Sequence, residues 1–358
     1  LVPGDGGAGR DAPQVDAPLG DAPRADGGPT IEVCADGIRR VEVDLEPLPA
    51  PAHGTRLEGR PDRLVVVQVY GDEGVPHIAR LTVADLEGTV LSMYETTLPA
   101  VGLYQPAVVQ GDGPYEVLFF YQDWPHFLIV QFGEGAAPPH VVDTDLGAPV
   151  LFGAAAAARG GYVAAGRFGR TSGLVAVDRD GATAQALDVR PSGELETAMS
   201  DLSAAGLVFM TQTGRCGRHG SVTRIDTTTF PFPIENVELE LEPPLLEPNV
   251  VSVSLVSGGL VAGFGVRDLF RGVRYHWLNE ALEVQAVAEI ETGFFFSHPT
   301  GVTGPGPQAV ALLVAGTGGA GELRAGISYV PGTIVGGARA LATDVDGYSG
   351  EMWTPATG

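Results

Sequence analysis

The chain has no lysine. Its 21 basic residues are all arginine, and against 44 acidic ones they leave a formal charge of −23. A surface of that sign repels nucleic acid and anionic lipid as a whole, so a general polyanion binder is excluded. GC-rich codons, which favour Arg, Ala, Gly, Pro and Val, account for the missing lysine. Cysteine is nearly absent too: Cys34 and Cys216 are the only two. That rules out a cysteine framework or a Cys-rich zinc site, and is compatible with one disulfide in an oxidising compartment. No run of eighteen apolar residues is present, so no helix is long enough to cross a membrane. Enzyme signatures are missing as well. There is no Gly-x-Ser-x-Gly, no His-Glu-x-x-His and no phosphate loop. The 7 histidines are scattered, and Cys216-x-x-His219 supplies two ligands at best. No cofactor and no metal are expected.

What is present points to an all-β protein. Hydrophobic residues make up 44% of the 358, aromatics only 7%, and there are 51 glycines and 28 prolines. Many short strands joined by tight turns have that composition. Residues 1–30 differ from the rest. Asp11-Ala12-Pro13, Asp16-Ala17-Pro18 and Asp21-Ala22-Pro23 repeat every five residues, and Asp26 continues the period. Proline extends the chain, the carboxylates repel, and too little apolar surface exists to offset the entropy of ordering. The segment reads as a disordered tether reaching roughly 90 Å at about 3.1 Å per residue. It resembles the spacers that follow the lipidated cysteine in envelope lipoproteins of high-GC Gram-negative bacteria, although that cysteine is absent. The start at Leu1 rather than Met predicts a processed N-terminus. The resemblance implies an extracytoplasmic protein, secreted or anchored to the outer membrane only through lipid.

From residue 31 to 358 the chain repeats. Six apolar runs align on a valine in second place: Val65, Val117, Val163, Val208, Val261 and Val310. Gaps of 45 to 53 residues suit four short strands per unit. Gly161, Gly206 and Gly259 directly precede three of the runs, as at a tight turn. A hairpin turn follows each valine: Asp85–Gly88, Gly133–Gly135, Asp178–Gly181, Asp226–Thr229, Asn279–Ala281 and Pro331–Gly332. The outer strand comes next. IRRVEVDLEP at 38–47 matches IENVELELEP at 234–243, so the N-terminal segment reads as the last two strands of a unit that lacks its first. A strand around Tyr348–Thr354 would complete it and remove the open edges. The repeat resembles β-propellers in general, with no family signature such as a WD dipeptide. It implies four-stranded blades, seven in number and closed by strands from both termini. Six blades with the N-terminal hairpin outside is the alternative.

Strand alternation sorts the loops by face. Those between second and third strands share one face, and the hairpin turns lie on the other. On the first face Arg167-Phe168-Gly169-Arg170, Arg215-Cys216-Gly217-Arg218 and Arg267-Asp268-Leu269-Phe270-Arg271 occupy one slot in three consecutive units. They hold six of the 21 arginines and a single acid. Planar paired donors suit carboxylate, sulfate or phosphate, so Arg167, Arg170, Arg215, Arg218, Arg267 and Arg271 are candidate anion ligands, with His219 beside them. The alternative is that they pair with acids on neighbouring units. Trp124, in a loop on the same face, is a candidate sugar platform; the other aromatics between Tyr115 and Phe132 read as core. Asp178-Arg179-Asp180-Gly181 has a calcium-loop look that turn chemistry explains; Asp344-Val345-Asp346-Gly347 falls in no aligned slot. Cys34 and Cys216 fall on opposite faces, so no bridge between them is expected. The sequence thus predicts a non-catalytic binding propeller for an acidic glycan, or an envelope protein's scaffold partner. The competing class is a polysaccharide-active hydrolase or lyase using Glu196, Asp201 or His298 on inner strands.

Overall fold

Strand follows strand, with no helix among the described residues. The computed structural model leaves outside its description residues 1–30, 34–38, 42, 44, 61, 73–74, 100–103, 122–125, 144–149, 169–170, 187–194, 215–218, 241–247, 257–258, 267–271, 292–295, 307–308, 318–321, 331–332 and 344–358. The predicted tether, the closing C-terminal strand, both cysteines and the Asp344–Gly347 segment fall there. A short hairpin comes first: β1 (Ile31–Val33) pairs antiparallel with β2 (Arg39–Val41), Ile31 opposite Val41.

Six four-stranded antiparallel sheets follow, each built in chain order. The first holds β3 (Ala52–Arg60), β4 (Arg63–Tyr70), β5 (Ile78–Asp85) and β6 (Val90–Thr97). The second holds β7 (Tyr104–Gln110), β8 (Tyr115–Tyr121), β9 (His126–Phe132) and β10 (His140–Asp143). The third comprises β11 (Val150–Ala158), β12 (Gly161–Phe168), β13 (Thr171–Val177) and β14 (Ala182–Ala186). In the fourth are β15 (Leu195–Met199), β16 (Leu207–Gly214), β17 (His219–Asp226) and β18 (Ile234–Glu240). The fifth takes β19 (Pro248–Val256), β20 (Gly259–Val266), β21 (Gly272–Asn279) and β22 (Val284–Glu291). The sixth ends the series with β23 (Phe296–Gly306), β24 (Ala309–Thr317), β25 (Glu322–Val330) and β26 (Thr333–Thr343). The six valine runs are the six second strands.

The core is a series of layers between successive sheets. Val65, Val67 and Val69 of β4 meet Val117 and Phe119 of β8. Leu118, Phe127 and Ile129 meet Tyr162, Ala164 and Val175 of the third sheet. Val163 and Ala165 meet Val208 and Met210, and Phe209 meets Leu260, Ala262 and Phe264. Adjacent residues such as Leu118 and Phe119 therefore serve opposite layers, which is why a second strand reads as a continuous apolar run rather than an alternating one. Val65, Val117, Val163, Val208 and Val261 are each 0% exposed. Such a burial contributes about 1.5–3 kcal/mol relative to exposure. First strands follow the same order, β3 on β7, β7 on β11, β11 on β15, β15 on β19 and β19 on β23.

Turn chemistry supplies the punctuation. Asp85, Asp178, Asp226 and Asn279 each accept backbone N–H groups two to four residues ahead through Oδ1, at 2.7–3.0 Å. Each ends or directly follows a third strand, so one Asx device makes four of the hairpin turns. The calcium-loop look of Asp178–Gly181 is this turn. Gly161 and Gly259 open second strands where backbones crowd: an added Cβ would lie 2.3 Å from the Val177 carbonyl oxygen and 2.0 Å from that of Leu278. Fourth strands are edges and carry charge. Arg80, Arg224 and Arg274 on third strands lie in register with Glu95, Glu235 and Glu289 on fourth strands and pair with them. Charge along an edge opposes pairing with another chain.

Candidate functional site

The hairpin-turn end of the stack is tied together by polar contacts between sheets. Tyr162, at the start of β12, donates to Glu116 at the start of β8 over 2.9 Å. His140 Nε2 lies 2.8 Å from the Arg179 carbonyl oxygen, Gln185 reaches the Phe232 carbonyl at 2.9 Å, and Arg224 reaches that of Glu280 at 2.9 Å. Across the second to fifth sheets these turns share one end. Connections between second and third strands leave from the other.

Those connections include the predicted arginine loops. Arg167 lies in β12, opposite Leu151 and Ser172, and the register closes at Phe168 with Thr171. His219 opens β17 opposite Glu240. Arg170, Arg215, Arg218, Arg267, Arg271 and Trp124 lie outside the described residues. The strands that bracket the loops are described: β12–β13, β16–β17 and β20–β21, the same slot of three consecutive sheets. Beneath the 215–218 connection, Gln212 is 4% exposed and its Oε1 has no hydrogen-bond partner. It faces the third sheet: Thr197, its cross-strand partner, is where a Cβ on Gly153 would make contact, at 3.2 Å. Sequence reasoning missed Gln212, because an amide in a β run carries no signal of being unpartnered.

At the turn end a cleft of about 290 Å³ opens between the second and third sheets, lined by Gln110, Glu116, Tyr162, Asp178, Arg179 and Asp180. Glu116 is held by three donors: the Tyr162 hydroxyl, the Arg179 guanidinium and, at 3.4 Å, the Gln131 amide. Burial, then the Glu116 charge, pushes the Tyr162 hydroxyl's pKa up, so it stays a donor. Gln110 Nε2 donates to the Gly161 carbonyl over 2.8 Å. A second cleft of about 180 Å³, between the third and fourth sheets, shares the Gly160–Tyr162 wall and Asp178.

Glu196 lies in β15 and His298 in β23, both first strands, whereas the exposed Asp201 lies two residues past β15. The carboxylate that stands out is Glu58 on β3. It is 8% exposed, ion-paired to Arg60 at 2.7 Å, and accepts the Val109 N–H at 3.1 Å. Burial raises its pKa against the pull of Arg60 and Arg56, and the charge of Asp201 adds to the rise. Asp201 and Glu58 are thus within electrostatic range of each other, from the fourth and first sheets. The alternation Arg56-Leu57-Glu58-Gly59-Arg60 was the available signal. Among the described residues no group of three or more His, Cys, Asp or Glu is placed to hold a metal.

No family model matches the chain, and neither does any curated protein. Solved structures do. A putative 6-phosphogluconolactonase from Bacteroides uniformis is 12% identical with a TM-score of 0.56, covering 86% of this chain and 91% of its own. An arginine-to-alanine triple mutant of AofleA from Arthrobotrys oligospora is 12% identical with a TM-score of 0.50, covering 80% and 85%. The chain is a β-propeller. At such identities the likeness shows the fold alone. Within the propeller the sheets are blades, their first strands are the inner ones, and the two ends of the stack are its two faces. Among the described residues there are six four-stranded sheets, and β1–β2 forms a separate two-stranded sheet.

Proposed function

We propose that this propeller is an exported, non-catalytic binding protein that takes an anionic ligand, an acidic glycan, on its arginine-bearing face. The observation that carries the reading is positional. Arg167 stands at the end of β12, and Arg170, Arg215, Arg218, Arg267 and Arg271 fall in sequence between the second and third strands of three consecutive blades, with Asp268 the only acid in those stretches. Among the described residues, Arg60, Arg63, Arg80, Arg179, Arg224 and Arg274 each hold a carboxylate. The unpartnered Gln212 Oε1 on the strand leading into the middle loop supports the reading, because a buried acceptor without a donor is costly unless a ligand's hydroxyl completes it. His219 and Trp124 belong to the same face. The Asp-Ala-Pro spacer supports an extracytoplasmic, tethered placement.

A hydrolase or lyase draws support from the buried, protonation-prone Glu58 near Asp201. Against it, both Glu58 oxygens are already occupied, by Arg60 and by the Val109 N–H. The test of the binding reading is calorimetric titration of an oligogalacturonate and a sulfated oligosaccharide at low salt. Binding is expected to weaken as salt rises and to vanish in Arg215→Ala/Arg218→Ala with the melting temperature unchanged. Absence of affinity for either anion at low salt refutes the reading.

A further inference from the structure

The seam between the fourth and fifth blades holds a buried titratable side chain that the proposed site does not use. His276 on β21 stands opposite Ala262 and Val287. It belongs to the apolar layer that Phe209, Val222 and Leu239 share with Val251, Val253 and Phe264. It is 4% exposed, and neither ring nitrogen has a hydrogen-bond partner. Its ring meets that of Phe264 edge-on, with centroids 5.6 Å apart. Phe264 in turn lies against the backbone of Gly220 on β17, so closely that an added Cβ there would stand 2.4 Å from the phenyl ring. Gly220 comes two residues after Arg218. Contact therefore runs from a buried imidazole on one blade to the strand that follows the middle arginine stretch on the next.

A proton on His276 finds no free carboxylate among the described residues of this layer. The charges that share it are two closed pairs, Arg274 with Glu289 on the fifth blade and Arg224 with Glu235 on the fourth. Strand alternation places the first pair on the side of His276, and the second on the side of Val222 and Val237. Glu280 and Glu283 are exposed in the turn beyond β21. Burial, then the like charge of Arg274, opposes protonation of the ring in place.

We propose that His276 is a proton switch in the seam between the fourth and fifth blades. On acidification the imidazole leaves the layer to take its proton, Phe264 loses its seat on Gly220, and the seam opens before the whole propeller unfolds. An unpaired charge is costly inside the layer, whereas an open seam offers the imidazolium water. The coupling of this switch to a ligand rests on reading the arginine-bearing face as an anion site. There, opening the seam releases the anion in acid. The direction is diagnostic. Arginine and sulfate keep their charges as pH falls, and neutralising the surface acids would by itself strengthen anion binding.

The switch is read without any ligand, by amide hydrogen exchange at pH 8 and pH 5, corrected for the intrinsic pH dependence of exchange. An opening that returns the ring's pKa from about 4 to 6.5 becomes about thirtyfold more populated across that interval. Peptides covering β17 and β21 should lose protection by that factor, those of β8 and β9 should not, and His276→Leu should abolish the loss. Should the variant fail to fold, NMR of the wild-type protein decides: the Gly220 amide should shift with the midpoint of the His276 ring. A loss of protection that is unchanged in His276→Leu, or spread equally over β8 and β9, overturns the switch. So does a Gly220 amide indifferent to the titration of that ring. Calorimetry with a sulfated oligosaccharide at low salt reads the coupling. Affinity should fall from pH 8 to pH 5 in the wild type, and hold or rise in His276→Leu. The same pH dependence in both proteins overturns the coupling. A seam that opens in a protein without anion affinity at either pH leaves the switch standing and refutes the anion reading instead.

Discussion

His276 should make this propeller acid-labile, and the size of the effect follows from its surroundings. The side chain sits on β21 opposite Ala262, in the layer between the fourth and fifth blades, its ring edge-on to Phe264 at 5.6 Å and 87°. It is 4% exposed, and neither ring nitrogen has a hydrogen-bond partner. Burial first, then the charge of Arg274 on the same strand, pushes its pKa down to about 4 from 6.5. The folded pKa lies below the unfolded one, so near pH 5 the unfolded chain holds a proton that the folded chain refuses. Stability from this group is therefore complete above about pH 6.5, falls as pH drops through the window, and levels off below about 4. At about 1.4 kcal/mol per unit the full loss is about 3 kcal/mol, of which about 2 is gone at pH 5. That is a large share of the roughly 5–15 kcal/mol by which a folded domain is typically stable. Denaturant unfolding from pH 8 to 4 should show His276→Leu gaining on the wild type by about 3 kcal/mol as pH falls, because leucine removes both the proton site and two orphan nitrogens. A wild-type-to-variant gap that does not change with pH, or an NMR titration of the His276 ring centred near 6.5, refutes the reasoning.

Two other outcomes test the packing and the topology. Gly259→Ala should cost about 1–3 kcal/mol, the range of overpacking, because its Cβ meets backbone atoms of Leu278 and Asn279 that no side-chain rotation can clear; Gly181→Ala, with open space around it, should be close to neutral, and equal effects would mean the crowding is not felt. Mass spectrometry of the unreduced protein should find Cys34 and Cys216 unbridged, since the first follows β1 and the second follows β16 in the fourth blade; a 34–216 disulfide would mean the N-terminal hairpin packs against that blade's loop face.

The repeat was legible because it is local. A valine run buried on both sides, a turn needing Asp, Asn or Gly, and a charged edge strand recur at nearly constant spacing, and each is written within ten residues. The valines became the second strands, and Asp85, Asp178, Asp226 and Asn279 became the turns they read as. Chain order also assigned the arginine loops to one slot, because strand direction alternates whatever the sheets pack against. The sites lie beyond that horizon. Glu116, Tyr162 and Arg179 come from three strand ends separated by 46 and 63 positions from Glu116, and they converge only because consecutive blades stack with their turns at one end. His276 and Gln212 look like ordinary strand residues, and only the neighbouring blade decides that their polar atoms go unpartnered. Glu58 gains its proton-holding character from burial against β7 and from Asp201 of the fourth blade. Sequence by itself determined the period and the turns. Tertiary stacking decided which rows oppose one another, because the sheet's two-residue alternation fixes only the face a side chain takes, and the partner across a layer comes from another blade.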